Sequence, residues 1–87
     1  MSKNNRYRII VRPLPPKYGG MNWYAARELD LPFPYSKNTI VLAPGLTPEQ
    51  RKATLAHEKF EIQLMKKGVS YRVAHKAANA MDRKIIS

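Results

Sequence analysis

The chain has 87 residues, 44% apolar and 25% charged, with 16 Lys and Arg against six acidic residues for a net charge of +10. That size and balance predict one small globular domain spanning 1–87, not a disordered chain or several domains. Cysteine is absent, which excludes disulfides and thiolate metal sites and leaves His, Asp, Glu or backbone oxygen to bind any metal.

No apolar run reaches the length of a membrane span, and Met1–Asn5 lacks the apolar segment of a signal peptide. The expectation is a cytoplasmic protein with no membrane partner. The positive charge suits contact with nucleic acid or another polyanion. It also fits the Lys/Arg-rich composition of thermophile proteins and their viruses and plasmids, where charge serves solubility.

Residues 1–5 read as frayed. From Arg6 the run Arg-Tyr-Arg-Ile-Ile-Val-Arg-Pro-Leu is β-branched and aromatic and predicts a strand ending near Pro13. Pro13, Pro15 and Pro16 forbid its continuation as an inner strand. Lys17–Gly20 reads as a turn or open loop, and its Gly19-Gly20 pair lacks the spacing of a phosphate-binding loop. Asn22 caps a short helix, Trp23–Leu29, with Trp23, Ala26 and Leu29 facing inward. The prolines of Leu31–Tyr35 stop it. Asn38–Ala43 is a second strand whose unbroken apolar run predicts burial on both faces, and Pro44-Gly45 breaks it. Residues 6–46 therefore hold the strands, short helix and loops.

Residues 47–84 predict an antiparallel helical hairpin, giving an α+β domain with two or three short strands. Thr47 is a hydroxyl N-cap, Pro48 takes the first helical position and Gln50 completes a capping box. Glu49 at one end and Lys66-Lys67 at the other complement the helix dipole. Gly68 stops the helix, and Ser70 caps the next, whose apolar stripe is Ala74, Ala77, Ala78, Met81 and Ile85.

Spacing decides which side chains of this hairpin meet. His57 and Glu61 are four apart, so they leave one helix face about one turn, or ~5.4 Å, apart. Glu61 lies seven residues before Gly68 and His75 seven after it. Reversal at Gly68 puts both at the same height on facing helices, roughly 10 Å from the corner. Two imidazoles and one carboxylate converge there, the donor set that leaves Zn²⁺ an open fourth position. Glu58 is turned about 100° from His57, beside the metal, where a carboxylate can act as general base on activated water. Asn79 and Asp82 lie on a similar face to His75, with no role assigned. The competing structural reading packs His57 against Phe60 and Ala53. It pairs Glu58 and Glu61 with Lys59, Arg51 or Lys66 on a solvated face, and bonds His75 to a backbone carbonyl.

The stretch Thr39-Ile-Val-Leu-Ala-Pro-Gly-Leu-Thr-Pro-Glu-Gln-Arg-Lys-Ala-Thr-Leu-Ala-His-Glu58 resembles the buried strand, turn and active-site helix of minimal zincins, especially ImmA/IrrE-type metallopeptidase domains. The likeness runs from Trp23 to Met65 and is strongest over Thr54–Glu58. Ala26–Leu29 sits where those domains carry an earlier helix. The resemblance implies a zincin-like fold, His57 as a zinc ligand and Glu58 as catalytic base in a peptidase. The sequence departs from that pattern at the second motif histidine, which is Glu61, with His75 standing in for the later acidic ligand.

Three functions compete on these residues. One is a zinc metallopeptidase acting on a peptide or protein, with Ile40–Leu42 as the strand that pairs with substrate. Another is a small basic nucleic-acid-binding or regulatory protein, with Arg6, Arg8, Arg12, Lys17 and Lys37 as phosphate contacts and any metal structural. The last is a dimeric interaction module that buries the hairpin's outer face.

Overall fold

The computed structural model describes residues 6–86, with side chains described through Met81. The elements run β1 (Arg8–Val11), β2 (Gly20–Asn22), α1 (Trp23–Leu29), β3 (Thr39–Leu42), α2 (Pro48–Lys66) and α3 (Tyr71–Ile86). The result is α+β, with one three-stranded sheet in the order β1-β3-β2. β1 runs parallel to β3, in the register Arg8↔Thr39 to Val11↔Leu42. β2 runs antiparallel to β3, with Gly20 opposite Leu42 and Asn22 opposite Ile40. Among the described residues, no helix is long and apolar enough to cross a membrane.

β3 is central and every residue in it is buried, as its apolar run predicts. Side chains alternate across a strand. Ile40 and Leu42 therefore join Ile62 of α2 in one core cluster, while Val41 joins Met21, Ala25, Ala26, Met65 and Ala74 in another. Full burial of Ile40, Leu42 or Ile62 contributes roughly 1.5–3 kcal/mol each. The central position of β3 overturns one expectation. Both its edges are already paired, so Ile40–Leu42 has no backbone groups left to align a substrate peptide.

Local signals place the helices. Thr47 and Gln50 form the reciprocal capping box, Thr47 Oγ1 accepting from the Gln50 N–H at 3.1 Å and Gln50 Oε1 from the Thr47 N–H at 2.9 Å. Gly68, at φ 97°, makes the left-handed turn that ends α2. Ser70 Oγ accepts weakly from the Val73 N–H at 3.4 Å, and Glu28 of α1 accepts from the Tyr71 N–H at 2.9 Å, tying α1 to the start of α3. Ala74 and Ala78 are wholly buried, so α3 meets its neighbours through its smallest side chains. Ala77 and Met81 are half-buried, and the side chains of Asp82 and Ile85 lie outside the described residues.

Two details differ from the sequence reading. Gly20, the end of the expected Lys17–Gly20 loop, begins a third strand, Gly20–Asn22, while Asn22 still caps α1 as expected. In α1 the buried positions are Ala25 and Ala26, while Trp23 is half-buried beneath Arg27 at 4.8 Å and Lys37 at 4.6 Å. An indole in contact with two cations gains cation–π attraction at the surface, and the small alanines fill the tight space inside.

Candidate metal centre

α2 carries His57, Glu58 and Glu61 on its buried face, with Glu61 1% exposed and Glu58 4%. α3 brings His75 to them. Glu61 Oε2 lies 2.9 Å from His57 Nε2 and 2.7 Å from His75 Nδ1, and the two nitrogens are 3.3 Å apart. His57, Glu61 and His75 thus form a group that can hold a metal ion. Neither the solvated face for the two glutamates nor the carbonyl partner for His75 describes these contacts.

The triangle fits a small divalent ion. Zinc bonds of about 2.0–2.2 Å in a tetrahedron separate donors by roughly 3.3–3.6 Å, so the contacts need to open by ~0.9 Å at most. Without metal, each imidazole can donate one N–H to the same Oε2, which accounts for the short distances. Burial pushes the Glu61 carboxyl upward, but the hydrogen bonds and positive charge of His57 and His75 outweigh it and hold the pKa below 4.5.

The other oxygens of the two glutamates meet at Asn22, which is 0% exposed. Asn22 Nδ2 donates to Glu58 Oε1 at 2.8 Å and to Glu61 Oε1 at 3.1 Å, while Oδ1 accepts from the Ala25 N–H at 2.8 Å. The amide orientation follows from its partners, because reversal would set its oxygen against two carboxylates and its NH₂ against an N–H donor. Asn22 is therefore both the predicted cap of α1 and a bridge between two carboxylates. Only the first role is visible locally in sequence.

A cavity of about 220 Å³ opens over the three donors, lined among others by Tyr18, Gly20, Thr54, Glu58 and Tyr71. Gly20 is required there by close approach. A Cβ on it would lie 2.8 Å from Thr54 Cγ2, 3.0 Å from Glu58 Oε2 and 3.1 Å from Glu58 Cγ. Tyr71 stacks on the His75 ring, with centroids 5.0 Å apart and planes at 24°. Burial first, then the charge of Glu61, pushes its phenol pKa upward, so the hydroxyl keeps its proton. Tyr71 escaped the sequence reading, although its place four residues before His75 on one helix face was a signal.

The five basic candidates lie in separate surroundings. Arg6 is exposed at the start of the described chain, and Lys37 covers Trp23. Lys17 lines the cavity over the metal donors, its ammonium 5.5 Å from the Tyr18 ring centroid. Arg8 and Arg12 share another cavity with Tyr35, Ser36 and Thr39. Asn79 lines the metal cavity and is exposed. A scan of protein-family models and searches of curated proteins and of solved structures find no match to this chain.

Proposed function

We propose that the protein is a zincin-like divalent-metal protein, a minimal zinc metallopeptidase that hydrolyses peptide bonds. The observation that carries this reading is the convergence of two imidazole nitrogens and one carboxylate oxygen within 3.3 Å, beside a buried second carboxylate and beneath a cavity. The donor set suits zinc and leaves a position open. Zinc bound there would supply Lewis acidity and bring the pKa of a water near neutrality.

The chain's own residues have distinct tasks in this reading. His57, Glu61 and His75 hold the ion. Glu58, fixed through Oε1 by Asn22, is the general base that receives the water's proton and passes it to the leaving amine. The protonated Tyr71 hydroxyl is a donor for the negative oxygen that develops on the carbonyl carbon. An extended substrate pairs with β2, whose far edge takes no partner among the described strands and whose Gly20 and Met21 line the cavity.

Metal analysis of untagged protein tests the proposal. One zinc per chain is expected, with His57→Ala losing the metal and Glu58→Gln keeping it while losing peptide hydrolysis. Unchanged metal content in His57→Ala would refute the site. A second reading, polyanion binding, draws on the cavity of about 260 Å³ that Arg8 and Arg12 line without any acidic residue. A nucleic-acid shift that weakens with salt and is lost in Arg8→Ala/Arg12→Ala would favour it.

A further inference from the structure

Asn22 sits where the coordination number of the site is decided. Each glutamate beside the three donors has two oxygens, and a divalent ion between them could draw on more than one. Glu61 could chelate through both oxygens, and Glu58, three residues earlier on the same buried face, could swing in as a further ligand. Either event would turn an open three-donor site into a filled, oxygen-rich one of the kind that suits larger and harder cations. Asn22 engages one oxygen of each. Its two N–H bonds go to Glu58 Oε1 at 2.8 Å and Glu61 Oε1 at 3.1 Å, leaving Glu61 Oε2 alone facing the imidazoles. The amide cannot rotate away without losing the Ala25 N–H that its oxygen caps. Gly20 closes the other side, since Glu58 Oε2 and Cγ already lie near the position its missing Cβ would occupy.

We propose that Asn22 is the positioning residue that sets metal selectivity, restricting Glu61 to one oxygen and keeping Glu58 off the ion. The site stays three-donor and favours zinc or cobalt in four-coordinate geometry over manganese. This rests on the metal-binding reading of His57, Glu61 and His75. The cap and the clamp are one amide, so the first turn of α1 fixes the geometry of a site built on α2 and α3.

Asn22→Ser separates the two roles, because serine is as good an N-cap as asparagine but lacks the NH₂ that spans both carboxylates. Asn22→Thr keeps a capping hydroxyl and likewise lacks the NH₂. Metal-free samples are compared first by circular dichroism, then titrated with Co²⁺, Zn²⁺ and Mn²⁺ alone. Wild type is expected to give the intense visible spectrum of four-coordinate cobalt. In both variants that spectrum should weaken severalfold as coordination rises. Zinc affinity should fall about 10–100-fold, the usual effect of losing a partner that orients a ligand, with manganese affinity changed less. Variants that keep the four-coordinate spectrum and bind zinc within about threefold of wild type overturn the Asn22 assignment and leave the metal site standing. Wild type that binds neither cobalt nor zinc overturns both. Loss of the helical signal in both metal-free variants also counts against it, because Asn22 would then be needed for folding itself.

Discussion

Gly20→Ala probes the close approach of β2 to α2 at Thr54 and Glu58. Gly20 is not among the positive-φ glycines, so alanine fits its backbone and the effect is steric. The added methyl would lie 2.8 Å from Thr54 Cγ2, against an ordinary carbon–carbon contact of about 3.5–4.0 Å. Thr54 is β-branched and stiff at χ1, and Glu58 is tied to Asn22, so neither neighbour yields freely. Overpacking of this kind costs about 1–3 kcal/mol. Alanine returns about 0.4–1 kcal/mol by restricting the unfolded chain. Sterics win, and the net loss is about 1–2 kcal/mol.

In a domain of this size that loss lowers the melting temperature by roughly 5–15 °C. Thermal unfolding of the metal-free protein reads it directly. Adding Thr54→Ser removes the nearest methyl group and should restore more than half of the difference. Gly20→Ala melting at or above wild type would refute the packing argument. So would a loss that Thr54→Ser leaves untouched, since the strain would then lie elsewhere.

Acid should weaken the metal-free fold through Glu61. Its folded pKa is depressed below 4.5, so its ionised form contributes stability that is complete above that value and lost as pH falls through the folded pKa. Urea unfolding at stepped pH should show Glu61→Gln losing less stability than wild type in that window. Thr47→Ala should destabilise the protein by about 1 kcal/mol through loss of the cap on α2, while Thr47→Ser stays within a few tenths. Urea midpoints with unchanged slopes check that pair.

What the sequence disclosed and what it hid divide by the range of the interaction. α2 starts at Pro48 behind Thr47 and turns at Gly68 because caps, dipole and glycine are local signals, carried within a few residues. Once those ends are known, the equal height of Glu61 and His75 follows from helix rise, and the packing of α3 on α2 turns that into contact. β2 has no such signature. Three residues beginning with glycine show no alternation, and they are a strand only because Leu42, Val41 and Ile40 supply partners. The centrality of β3 was hidden for the same reason, since a neighbour on its second edge had to be found first. Trp23 misled because bulk suggests burial, whereas two alanines fit the narrow gap and the indole found cations outside.

Asn22 unites these cases and bears on why the site exists. The chain has only six acidic residues and a net charge of +10, yet two glutamates are buried side by side on α2. Placing two carboxylates together away from water opposes folding, and apolar residues of similar volume would commonly serve stability as well or better. Their partners reduce the cost: one amide spans both, and two imidazoles face the oxygen that remains on Glu61. A domain this small has little stability to spare. A polar cluster kept at its centre, walled by a glycine and open to a cavity, is the local conflict with stability that functional sites create. An ion bound among the three donors would reverse that balance, stabilising the folded chain by mass action and making the most costly part of the core its staple.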